Sequence, residues 1–242
     1  MNPARLLSVT YLFTVLLLSG CGSPHGQPQK GVETLAPSQV LDFAALYGQN
    51  CSACHGADGK GGAAIPLGDP VYLAIADDAT IRKVTANGVG GTSMPAFVQS
   101  AGGMLTDQQI NVITTGIRSH WSKPGILDGA NPPSYLPKSE GNVAQGEAAY
   151  KTFCESCHGP DGRGGPKGSS ITVDSFLALI SDQELRTLVI AGRPELGAPD
   201  WRGDVPGKPM SDQQITDVVA WLASRRSRVP GQPYSTSNGA QH

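Results

Sequence analysis

The chain has 242 residues, room for two domains of about 100 residues each, and its 18 Lys plus Arg against 20 Asp plus Glu leave a net charge of −2. That balance supplies no basic footprint and argues against a nucleic-acid partner. Thirty-one glycines, 19 prolines and only 6% aromatic residues suit short helices joined by tight loops and do not fit a layered sheet, which needs β-branched runs.

In chain order, residues 1–20 read as an export signal: Arg5, an apolar run from Leu6 to Leu18, then Ser19 and Gly20 before Cys21. The run is too short for a comfortable membrane span. Leu18-Ser19-Gly20-Cys21 resembles a bacterial lipobox, which makes Cys21 the first residue of the processed chain and its site of lipidation. A plain secretory signal is the other reading, and both export the chain. Residues 21–39 then form a tether.

A first domain is expected over residues 40–122. Val40, Phe43, Ala44 and Tyr47 fall at helical spacing behind a Ser38 cap, and the next turn delivers Cys51-Ser-Ala-Cys54-His55. A glycine-rich stretch leads to Met94-Pro95, and Thr106 with Gln109 predicts a capping box before a helix burying Ile110, Ile113 and Ile117. Residues 123–140, with Asn131-Pro132-Pro133, lack apolar periodicity and read as a linker.

Residues 141–228 repeat the plan. Tyr150-Lys-Thr-Phe-Cys-Glu-Ser-Cys-His-Gly-Pro-Asp-Gly matches Tyr47-Gly-Gln-Asn-Cys-Ser-Ala-Cys-His-Gly-Ala-Asp-Gly at a shift of 103, which becomes 104 at Leu185 against Ile81 and 105 at Ser211 against Thr106. Ser211 with Gln214 caps a last helix whose stripe is Ile215, Val218, Val219 and Leu222. Residues 229–242 read as a disordered tail.

The chemistry sits in the two C-x-x-C-H units. Cysteines three apart on a helical turn share a face, where Cys51 and Cys54, and again Cys154 and Cys157, can bond the two vinyl groups of one porphyrin. His55 and His158 then reach the iron, so two haem c groups are expected. A zinc site from four thiolates and two histidines is the rival. Each iron also needs a sixth ligand. Met94 suits the first, because a thioether raises the potential and Pro95 keeps its backbone extended. At the matching place in the second copy stands Ala198, leaving Met210, which aligns with Leu105, either to ligate through a longer loop or to pack. Met210 is taken as the expected ligand, with an open iron as the other outcome.

These residues resemble the class I bacterial cytochromes c. The C-x-x-C-H-G-x-D-G-x-G-G block looks like the domains of the dihaem subunit of cbb-type oxidases and of the cytochrome subunits of periplasmic dehydrogenases. The resemblance implies an all-α fold of two tandem domains, with His55 and Met94 as axial ligands, and His158 with Met210. It also implies a glycine of the first helix against an aromatic of the last. Gly146 and Trp221 match this, whereas the first copy has Phe43 and Gly116 in exchanged places, so Phe43 is expected to touch Gly116.

The expected function is electron transfer between redox partner proteins of the bacterial cell envelope, as a free carrier or as a subunit of an oxidase or dehydrogenase complex, held to the membrane by a lipid. No nucleic-acid partner is expected. The rival is a peroxidase or ligand-binding dihaem protein reacting at the second iron. His25, His120 and His242 are expected to have no role, and Arg225, Arg226 and Arg228 to complement a helix end or form a docking patch.

Overall fold

The computed structural model describes residues 35–227, and the described residues from 37 onward fall in one compact unit. The expected signal, Cys21, most of the tether and the tail lie outside the described residues. Among those described there is no β-strand, only two isolated bridges, and no helix is long and apolar enough to cross a membrane. The all-α expectation holds.

The first copy comprises α1 (Phe43–Asn50), α2 (Ser52–His55), α3 (Pro70–Ile75), α4 (Asp78–Asn87) and α5 (Asp107–Trp121). The second repeats it as α6 (Val143–Phe153), α7 (Glu155–His158), α8 (Asp174–Leu179), α9 (Asp182–Ala191) and α10 (Asp212–Ser224). Both capping boxes form as expected, at Thr106 with Gln109 and at Ser211 with Gln214. Beyond them Ile110, Ile113 and Ile117, and Ile215, Val218, Val219 and Leu222, are all buried. The cap of α1 differs from expectation. Residues Pro37–Gln39 make a 3-10 turn, so the helix starts later, where the Asp42 carboxylate accepts from Ala45 N at 2.7 Å. The segment before it is tied down by Gln109, whose amide donates to the Pro37 and Val40 carbonyls.

The first and last helices of each copy cross closely. A Cβ built on Gly116 would lie 2.0 Å from Phe43 Cδ2, and one on Gly146 would lie 2.0 Å from the Asp217 carbonyl oxygen and 2.8 Å from Trp221 Cβ. The exchanged pair is therefore real: bulk sits on α1 in one copy and on α10 in the other, with the space opposite filled only by glycine. Around these crossings Phe43 stacks on His120 at 4.5 Å, and Tyr150 stacks on Trp221 at 4.3 Å. His120, expected to have no role, packs against this aromatic group and its Nδ1 donates to the Gly116 carbonyl.

The linker is not loose. Arg186, 2% exposed, donates to the carbonyls of Ser134 and Tyr135, to Thr216 Oγ1 and to the Asp212 carboxylate. Its counterpart Arg82, with a side chain 40% exposed, has only Asn111 and Asp107. Proline and glycine removed apolar periodicity from 123–140 without removing its carbonyls, and a buried guanidinium needs such acceptors. Arg226 serves a similar end, donating to the Leu177 and Ile180 carbonyls and to Asp182, as Arg118 does to Leu73, Ala76 and Asp78. Arg225 lies over the Trp221 ring at 4.6 Å. The docking-patch reading thus loses Arg226, which is a structural clamp, while Arg228 lies outside the described residues.

Candidate haem sites

Each site grows from the end of a helix. Cys51 closes α1 by donating its N–H to the Tyr47 carbonyl at 2.8 Å and opens α2 by accepting from His55 N at 3.0 Å. Cys154 does the same between Tyr150 and His158, at 2.8 and 2.9 Å. This single-turn helix puts both thiols and the histidine at the head of one loop. The loop then reverses at Gly56, φ +84°, where a Cβ would fall 1.6 Å from the Lys60 carbonyl oxygen, and at Gly159, φ +78°. Tyr47 and Tyr150 hold the reversal by donating their hydroxyls to the carbonyls of Gly56 and Gly159.

The histidines are oriented identically. His55 Nδ1 stands 2.8 Å from the Ile65 carbonyl oxygen, and His158 Nδ1 stands 2.7 Å from that of Ser169. A carbonyl only accepts, so Nδ1 carries the proton and the Nε2 lone pair is left to bind a metal. In the first copy that Nε2 is buried and has no hydrogen-bond partner. Burial also lowers the His55 pKa, against the opposing effect of the Ile65 bond, and so favours the neutral ring that ligation needs. An orphaned, buried, deprotonated imidazole nitrogen beside two free cysteines fits a haem iron and its two thioether bonds.

The cysteines fit it too. All four are free thiols. Burial, helped by the neighbouring cysteine, pushes the Cys51 thiol up to about 12, and burial with Asp204 and Cys157 does the same to Cys154. Such thiols resist ionisation, unlike those of a redox dithiol. Among the described residues no group of three or more His, Cys, Asp or Glu converges as a metal cage, so the two C-x-x-C-H units do not pool their ligands.

On the far side of each copy, the segment after α4 or α9 is held by a repeated set of backbone bonds. Val89 N donates to the Met94 carbonyl at 3.0 Å, and Arg193 N donates to the Ala198 carbonyl at 2.9 Å. Phe97 N reaches the Ala86 carbonyl and Trp201 N that of Ile190; Leu105 N reaches the Phe97 carbonyl and Met210 N that of Trp201. Met94 is half-buried, its N–H bonded to Thr92 Oγ1 at 3.1 Å, while Met104 is 82% exposed. Met210 is buried where Leu105 is buried, directly ahead of the helix cap. Met210, the expected ligand of the second iron, thus shares the backbone register and the burial of Leu105.

Sequence reasoning missed Arg193, Glu195 and Asp204. Arg193 Nη2 donates across copies to the Gly62 carbonyl at 2.8 Å, and its Nε holds Glu195 at 2.6 Å. Only tertiary structure joins positions so far apart in the chain. Asp204 is half-buried close to Cys154, and burial with the neighbouring Asp200 pushes its carboxyl up to about 7.

Two C-x-x-C-H heads on single-turn helices, each with its histidine locked through Nδ1 in an all-α repeat, define a dihaem c-type cytochrome. The chain belongs to the family of subunit III of cbb3-type cytochrome c oxidases, whose profile matches residues 38–115 and again 141–222. It binds two haem c groups, one in each copy. Among curated relatives it is 33% identical over 141 residues to the cbb3-type cytochrome c oxidase subunit CcoP of Azospirillum sp. (strain B510), covering 52% of this chain and 43% of that protein. To subunit FixP of Sinorhizobium medicae it is 26% identical over 184 residues, covering 70% and 58%. To the cytochrome bc1 complex cytochrome c subunit of Mycobacterium bovis it is 21% identical over 207 residues, covering 84% and 70%. The chain thus spans about half the length of the two oxidase subunits.

Proposed function

We propose that this chain is an electron carrier of the bacterial envelope, passing single electrons from one haem to the other and on to a redox partner protein, as a subunit or close associate of a respiratory oxidase, dehydrogenase or quinol-oxidising complex. In this reading Cys51 with Cys54, and Cys154 with Cys157, hold the porphyrins; His55 and Met94 are the axial pair of the first iron, and His158 ligates the second. Lipidation at Cys21 keeps the domains at a membrane surface on the outer side of the cytoplasmic membrane.

The observation that carries the reading is the pair of histidines with Nδ1 locked on a carbonyl, one with its Nε2 buried and orphaned. When bound, haem c supplies a one-electron iron couple whose potential follows its axial ligands. The protein fixes the imidazole tautomer in both copies, and burial favours the neutral ring at His55. The Arg193 bond to Gly62 ties the far-side segment of the second copy to the haem loop of the first, which supports transfer between the two sites inside one unit.

The test is expression in a host that attaches c-type haem, followed by mass spectrometry, haem quantitation and a redox titration. Two covalent haems and two reversible one-electron waves are expected. Changing Cys51 and Cys54 to alanine should remove one haem and one wave. A chain that acquires no covalent haem would refute the reading. Native-membrane pull-down then identifies the partner complex, and loss of membrane association in Cys21→Ala tests the anchor.

A further inference from the structure

Met94 and Ala198 occupy the same point in the two copies, fixed by matching backbone contacts on both sides. Before it, Gly88 and Gly192 each pass so close to the following strand of chain that a Cβ would come within 2.6 Å of the Met94 oxygen and 2.8 Å of the Ala198 oxygen. At it, the carbonyls of Met94 and Ala198 accept from Val89 and Arg193. After it, Phe97 and Trp201 bond back to Ala86 and Ile190. All these pairs keep a spacing of 104, and the change to 105 comes only between Trp201 and Met210. The extra residue therefore lies beyond the ligand position and does not move another side chain into it.

Met210 is no substitute. Its N–H is bonded to the Trp201 carbonyl at 2.9 Å, as Leu105 N is to Phe97 at 2.8 Å, and each is followed at once by the hydroxyl cap of the last helix. Leu105 is 6% exposed and Met210 2%. Both are core residues at the foot of that helix, and leucine and methionine exchange easily in such places.

We infer that the second haem has His158 as its only side-chain ligand and keeps its Ala198 side free for a small exogenous ligand, so that this copy, besides passing electrons, binds a diatomic gas such as carbon monoxide or nitric oxide at ferrous iron. This rests on the proposed attachment of haem at Cys154 and Cys157. The methyl group of Ala198 carries no lone pair, and nothing in its segment replaces the lost thioether. The nearest lysine along the loop, Lys208, has its Nζ at 5.5 Å over the Phe153 ring, and the nearer Arg202 is paired with Asp200.

The experiment combines haem quantitation, electron paramagnetic resonance of the oxidised holoprotein and carbon monoxide titration of the reduced form. Two haems, one low-spin and one high-spin, with one carbon monoxide bound per two haems, are expected. Met210→Leu, which copies the first domain's Leu105, should leave both spectra unchanged. Ala198→Met should convert the high-spin signal to low-spin and abolish carbon monoxide binding. A wild-type protein with two low-spin haems and no gas binding would overturn the inference. So would a high-spin signal that appears only in Met210→Leu or Lys208→Ala, or an Ala198→Met protein that keeps its gas binding. Fewer than two haems would instead count against the attachment reading itself.

Discussion

The close crossing of α1 and α5 makes a quantitative test of packing. In Gly116→Ala the new Cβ would sit 2.0, 2.4 and 2.5 Å from three Phe43 ring atoms, far inside the ~3.5–4.0 Å of a favourable carbon contact. Either the helices separate or the ring leaves its place against His120, Tyr47 and Trp121. Overpacking of this kind costs about 1–3 kcal/mol, and losing the aromatic contacts pushes it toward the upper end. Replacing a mid-helix glycine by alanine returns about 1 kcal/mol. A net loss of about 2 kcal/mol is expected, which lowers the melting temperature by about 4–8 °C for a chain of this size. In a Phe43→Ala background the clash disappears and only the helix gain remains, so Gly116→Ala should there stabilise by up to about 1 kcal/mol. Denaturant midpoints of the four holoproteins, followed by circular dichroism, close the cycle. Equal effects of Gly116→Ala in both backgrounds would refute the packing argument. The equivalent change Gly146→Ala meets the Asp217 backbone oxygen, so no side-chain truncation should rescue it.

Other consequences are open to direct measurement. Ser211→Ala removes the hydroxyl that accepts from Gln214 N at 3.2 Å and should cost about 0.5–2 kcal/mol in a denaturant titration. Arg186→Ala leaves the Ser134 carbonyl without its donor and strips Asp212 of its buried cation, although Gln183 still donates to Tyr135 and Ser134 N to Asp212; a loss on the order of 3 kcal/mol and faster proteolysis within 123–140 are expected, whereas Arg82→Ala, at an exposed pair, should cost under about 1 kcal/mol. Asp204, pushed up to about 7 by burial and by Asp200, keeps in the folded chain a proton that the unfolded chain releases near pH ~4. Its contribution to stability is full below that pH and is lost as pH rises to about 7, so Asp204→Asn should gain stability relative to wild type across that interval. A difference between the two proteins that stays constant from pH 4 to 8 would show that Asp204 does not titrate as its burial requires.

Much of this protein was legible in the sequence because its signals are local. A C-x-x-C-H unit needs only one helical turn to bring two thiols and an imidazole together, and a hydroxyl three residues before a glutamine caps a helix wherever it occurs. The repeat itself placed Phe43 opposite Gly116, since a glycine and a bulky ring that trade helices keep the volume of one crossing. The alignment also set Ala198 against Met94. What the sequence left undecided depended on partners distant along the chain. The start of α1 moved to Asp42 because Gln109, on the last helix of that copy, holds the preceding carbonyls. The linker packs because Arg186 is buried beneath it, and Arg226 clamps α8 and α9 where charge alone suggested a docking patch. Met210 could be read from spacing as ligand or core; only the structure shows that it is buried with its N–H on the Trp201 carbonyl, in the register of Leu105. The sequence by itself thus determined the attachment residues and the aligned differences between the copies, and only tertiary contacts decided which distant carbonyls and carboxylates each buried side chain meets.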